Sequence, residues 1–214
     1  MDKNNKIRNV WMICFLTFLM FFVQHYFRRF GQPFSDIFLT ITNKSIALTS
    51  FSMMSFAVLI GSFVNIWPEK WKERVHYIKS FGILGIVLVV VHILISVMMF
   101  SAAYYPEYFT PENKMTAVFG LSLLFGIISF VCFSVVSFNI LYGKFKSPET
   151  VRKVNYVFYV FLLIHIFALK YDKLFKSNSV VNGIPSGSMA AFSIAIIVII
   201  FVVISVFNGK KPTK

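Results

Sequence analysis

The sequence predicts an all-α membrane protein, a six-transmembrane-helix bundle with both termini cytoplasmic. Three observations predict it. Of 214 residues, 57% are hydrophobic and only 14% charged, against about 25% charged in soluble domains, and the mean hydropathy is +0.75. Six apolar runs, 10–27, 46–66, 80–103, 116–141, 154–169 and 188–207, approach or exceed the ~20 residues needed to cross a hydrocarbon core. Finally, the lysines and arginines fall between these runs rather than along one solvated face. The net charge of +13 therefore reads as a set of topology signals and not as a nucleic-acid footprint.

The first run follows Lys3, Lys6 and Arg8 and ends at His25-Tyr26-Phe27-Arg28-Arg29 without a small-residue cleavage site, so it is expected to be a retained helix and not a secretory leader. The second, third and fourth runs are long enough to span with some tilt. The fifth is short and bounded by Lys153 and Lys170, whose long side chains can snorkel to the interfaces. The sixth is uninterrupted. The runs lack period-two alternation, which argues against a β-barrel. Fourteen of the 21 basic residues lie at the termini and in the loops after the second and fourth runs, and seven lie on the opposite side. The positive-inside rule therefore puts both termini in the cytoplasm.

Residues 1–214 form a single transmembrane domain with no soluble appendage. The cysteines, Cys14 and Cys132, sit inside apolar runs and supply no disulfide framework or zinc spacing. Neither a dinucleotide fingerprint nor a Walker loop occurs. Flavin or nucleotide chemistry is expected to come from a partner.

Ionisable side chains at mid-membrane are costly and mark function. Two histidines qualify: His92 in the third run and His165 in the fifth. His25 and His76 lie near run ends, where an interfacial role is cheap. The third and fifth helices run in the same direction. His92 follows Lys79 by 13 residues and His165 follows Arg152 by 13, so at ~1.5 Å per residue each lies roughly 20 Å from the inner basic flank. Two imidazoles at one level can ligate one planar metal cofactor from opposite sides. A b-type haem fits: its iron takes two axial ligands and the macrocycle supplies the other four nitrogens. Zinc or copper would want more protein ligands. Gly85, seven residues before His92, and Ser96, four after it, are expected to leave room for a porphyrin edge. Phe158, Phe161, Leu162, Ala168 and Leu169 offer an apolar wall around His165. The competing reading gives each histidine one interhelical hydrogen bond and no cofactor.

Several stretches then resemble the ferric-reductase-like transmembrane domain superfamily. In its third helix a glycine precedes a ligand histidine by ten, as Lys79-Ser80-Phe81-Gly82 precedes His92. Its fourth helix reads Gly-Ile-Ile-Ser-aromatic, as in Gly126-Ile127-Ile128-Ser129-Phe130, and its fifth has a tyrosine nine before the outer histidine, as Tyr156 stands before His165. Thr42-Asn43-Lys44-Ser45-Ile46-Ala47-Leu48 is similar to its second-helix start. The likeness covers about residues 42–170 and looks nearest to the haem-binding membrane subunit of the bacterial periplasmic methionine sulfoxide reductase system. It implies that His92 and His165 are axial ligands of an outer haem. Two-haem members carry further histidines 13 or 14 residues earlier. Here Lys79 or Ile78, and Arg152, stand there, so the ligand pattern is similar to the single-haem STEAP metalloreductases.

The expectation is a membrane electron-transfer subunit of a reductase system with one haem b and iron as its metal. Electrons would come from a separate flavin reductase (FMN or FAD) or from quinol in the lipid bilayer, and would leave to an extracytoplasmic acceptor. Lys144, Lys146, Arg152 and Lys153 could hold an anionic donor, and Arg28 and Arg29 could pair with haem propionates. Tyr104, Tyr105, Tyr108 and Phe109 read as an interfacial aromatic belt. The rival class is a non-redox polytopic membrane protein, an accessory subunit or small transporter without haem.

Overall fold

A computed structural model describes residues 3–142, 154, 157–168, 180–181 and 183–208. Lys144, Lys146, Arg152, Lys153, Tyr156, Leu169 and Lys170 lie outside the described residues. The helices are α1 (Lys3–Phe27), α2 (Phe34–Ile66), the short α3 (Pro68–Trp71), α4 (Val75–Met98), α5 (Ala117–Tyr142), α6 (Val157–Ala168) and α7 (Gly187–Asn208). Five helical stretches are long and apolar enough to cross a membrane, with α3 and α4 sharing one of them, and α6 is a shorter apolar helix. A helix satisfies every backbone group within its own segment, as an apolar surround requires, and these runs take that form. The outward faces are apolar, as with Phe15 on α1, Leu94 on α4 and Ile200 on α7. Such exposure suits lipid contact.

The second helix is longer than the sequence suggests. It begins at Phe34, twelve residues before the expected 46, because Pro33 sets its start and Asn43 and Lys44 remain helical. Its 33 residues make a rod of roughly 50 Å, which outreaches a ~30 Å hydrocarbon core. α2 is the hub of the bundle and packs along α4, α7 and α1. Its buried face is rich in small polar residues, among them Ser45, Thr49, Ser50, Ser52 and Ser55. Small side chains let helix backbones approach in lipid. Their hydroxyls are not left unpaired: Ser45, Thr49 and Ser52 donate to carbonyls one turn back at 2.7–2.8 Å, and Ser50 donates across to the Gly85 carbonyl of α4 at 2.8 Å.

The core has two parts. One joins α1, α2, α5, α6 and α7 through Phe21, Phe51, Met54, Phe133, Phe158 and Ala195. The other joins α1, α2 and α4 toward the N-terminal end of the bundle, through Val10, Cys14, Met53, Ala57 and Phe81. Small elements unforeseen in the sequence close the opposite end. A two-residue hairpin pairs β1 (Val180–Val181) with β2 (Ile184–Pro185), turning at Gly183 with φ +75, a conformation glycine adopts without strain. Rings from the α4–α5 connection stack over Phe119, with Tyr108 at 4.4 Å and Phe100 at 5.6 Å between centroids. Part of the expected aromatic belt is thus packed into a cap.

Candidate haem-ligand site

His165 sits on α6 facing α5. Its Nδ1 lies 2.7 Å from the backbone carbonyl of Ser122. A carbonyl only accepts, so Nδ1–H donates and the proton is fixed there. The Ser122 hydroxyl, 3.0 Å from the same nitrogen, donates to the carbonyl of His165 at 3.1 Å. The ring rests on Gly126. A Cβ at that position would come within 2.9 Å of Nδ1 and 3.1 Å of Cε1, closer than real contacts allow. The absent side chain of Gly126 is what admits the imidazole.

His92 sits on α4 facing α2. Its Nδ1 is 2.8 Å from Oδ1 of Asn43, which is 1% exposed. The Asn43 amide is oriented by its other end, where Nδ2 donates to Ser96 Oγ at 2.9 Å and to the Tyr105 hydroxyl at 3.4 Å. Ser96 Oγ also approaches His92 Nδ1 at 3.4 Å. With the amide so placed, Nδ1 of His92 carries the proton and donates. An amide buried among apolar helices is expensive unless all its polar atoms are partnered, and this one is satisfied from three sides.

The two sites share a plan. In each, Nδ1 is held by an acceptor on a neighbouring helix, which leaves the Nε2 lone pair as the unprotonated nitrogen. Neither Nε2 has a hydrogen-bond partner among the described residues. Each histidine is partly exposed. An imidazole whose Nδ1–H is fixed by an acceptor presents Nε2 as a metal ligand in its correct tautomer. No cluster of three or more His, Cys, Asp or Glu side chains able to hold a metal ion occurs among the described residues. A two-imidazole donor set suits an iron whose remaining ligands come with a macrocycle, and does not suit a bare zinc ion.

The other expected site residues have different surroundings. Gly85 faces α2: a Cβ there would lie 2.6 Å from Met54 Cγ and 3.4 Å from the Ser50 carbonyl. The room it makes is filled by α2. Ser96 supports the Asn43 amide instead of opening space. Arg28 donates to the carbonyl of Ile184, and Gln24 donates to that of Pro185 at 2.8 Å, so both tie the end of α1 to the hairpin. His25 is buried against Gly187 at the start of α7. His76 lies at the other end of α4, beside Tyr77 with centroids 4.1 Å apart. Phe158 is 1% exposed and packs on Phe133 in the core, while Phe161 stacks on Phe125 of α5 at 5.6 Å.

The residues that sequence reasoning missed are Asn43, Ser122 and Tyr105. Asn43 carried a signal, being an amide in a span-forming helix. Ser122 is one serine among many, and its contribution is a carbonyl that every residue has. No protein-family model matches the chain, and no curated protein matches it.

Proposed function

We propose that this chain is a b-type haem membrane protein that passes single electrons from a cytoplasmic, flavin or quinol donor to an extracytoplasmic acceptor, with His92 and His165 as the residues that would hold the haem iron. The observation that supports the reading most is the matched support of the two imidazoles: Nδ1 on an acceptor at 2.7 and 2.8 Å, Nε2 without a partner among the described residues. The likeness to ferric-reductase-like domains adds the ligand roles. The excess of basic residues at one end adds the six-span topology with cytoplasmic termini.

The haem supplies reversible one-electron chemistry. The chain's own residues do the rest. Asn43 and the Ser122 carbonyl fix the ring tautomers and raise the basicity of Nε2. Gly126 seats the His165 ring. The apolar walls of α4, α5 and α6 keep the dielectric low, which tunes potential. The aromatic cap over Phe119 limits water entry at the outer end.

A second reading rests on the same hydrogen bonds. Interhelical bonds from His92 to Asn43 and from His165 to Ser122 are enough to hold two helix pairs in register, and a non-redox accessory subunit or small transporter would need no more. Visible spectra separate the two. Protein purified from haem-replete cells should show a Soret band, with sharp α and β bands after dithionite. His92→Ala or His165→Ala should each abolish haem retention. A colourless wild-type preparation selects the second reading.

A further inference from the structure

The structure holds a cavity of about 820 Å³ that neither His92 nor His165 lines, at the end of the bundle where α2 passes into α4, with His76 and Tyr77 of α4 among its lining residues. Its apolar walls include Ile13 of α1 and Ile60 of α2, and its rim includes Lys70, Trp71 and Arg74. Lys70 and Arg74 are exposed. Glu73 also lines it, which leaves the rim one positive charge in excess. The connection as a whole, Trp67-Pro68-Glu69-Lys70-Trp71-Lys72-Glu73-Arg74, alternates aromatic and charged residues as a membrane–water boundary does. Trp71 is anchored by Phe63 of α2 at 4.7 Å between centroids. Its ring face is covered by the Arg74 guanidinium, 4.4 Å from the centroid.

We propose that this cavity is a binding site for the headgroup of an anionic phospholipid. The phosphodiester lies between Lys70 and Arg74, and the glycerol and upper acyl carbons lie against Ile13 and Ile60. A free phosphate would have no use for the apolar wall. A choline headgroup would seek an aromatic face, and the face of Trp71 is taken by Arg74. The site rests on the membrane-spanning reading of the helices and not on haem, so it stands or falls separately from the proposed electron transfer.

The test uses the full chain carrying Trp11→Phe and Trp67→Phe, so that Trp71 alone reports. It is reconstituted in phosphatidylcholine vesicles doped with bromine-labelled phosphatidylglycerol or bromine-labelled phosphatidylcholine. The anionic probe should reach half-quenching at a mole fraction about five-fold lower than the zwitterionic one, the factor expected for one basic charge at a lipid surface. Lys70→Gln with Arg74→Gln should bring the two probes level. Lys72→Gln, which removes a neighbouring charge outside the cavity, should leave the preference intact. Equal quenching of the Trp71-only protein by both probes overturns the proposal. So does loss of the preference in Lys72→Gln, which would assign it to general surface charge. Relief of quenching by millimolar glycerol phosphate would reassign the cavity to a soluble phosphate ligand.

Discussion

Replacing Asn43 with leucine isolates the support of one imidazole. The two side chains share the same branching and number of heavy atoms, so the change removes hydrogen bonds while keeping a similar shape. Three contacts go: to His92 Nδ1 at 2.8 Å, to Ser96 Oγ at 2.9 Å and to the Tyr105 hydroxyl at 3.4 Å. The last is long and counts least. Interhelical hydrogen bonds in membranes average ~0.6 kcal/mol and reach ~1.7, which puts the lost bonding at about 1–3 kcal/mol. The stranded Nδ1–H of His92 adds a desolvation cost of ~1–3 kcal/mol if it stays buried. The ring is then expected to rotate toward another acceptor and carry Nε2 with it. For a metal site, loss of such support typically lowers affinity 10–100-fold. The assay is the haem-to-protein ratio after purification, by pyridine haemochrome, with a potentiometric titration of whatever haem remains. Asn43→Asp is the companion variant: it keeps an acceptor and adds negative charge, so it should retain haem with a lower midpoint potential. A leucine variant with full haem and an unchanged potential would show that the Asn43 contact does not support a ligand.

Other expectations follow from single contacts. Gly126→Ala should displace the His165 ring, since its Cβ would lie 2.9 Å from Nδ1, and electron paramagnetic resonance of the oxidised protein should report altered axial ligation. Gly85→Ala should act on packing instead: its Cβ meets Met54 at 2.6 Å, overpacking of this kind costs about 1–3 kcal/mol, and the variant should melt earlier while any haem it holds keeps its spectrum. His25→Ala should leave haem content unchanged, because His25 is buried against Gly187; haem loss in that variant would move the ligand assignment. Ser122→Ala removes the hydroxyl but not the carbonyl that holds His165, so its effect on haem retention should be smaller than that of Gly126→Ala.

Much of the bundle was legible in the chain because lipid leaves a backbone few choices. An apolar run of about twenty residues must become a helix, so five membrane-length helices and the apolar α6 fall where hydropathy puts them. The ends were less legible. Helix α2 starts twelve residues early because Asn43, Lys44 and their neighbours are polar by composition yet helical, and Asn43 finds its partners on α4 and in the α4–α5 connection. The two histidines announced themselves, since an ionisable ring inside a long apolar run is costly to place there. What holds them did not. The acceptor for His165 is a main-chain carbonyl, identical in every residue. The seat of its ring is the missing side chain of Gly126. The room apparently left by Gly85 is filled by Met54 from another helix. Sequence by itself determined which segments form apolar helices of membrane length and where ionisable rings interrupt them, because both follow from the cost of moving single groups out of water. Tertiary structure alone decided which helices meet, and so which glycine admits a ring and which amide or carbonyl orients it, because those contacts join residues dozens of positions apart.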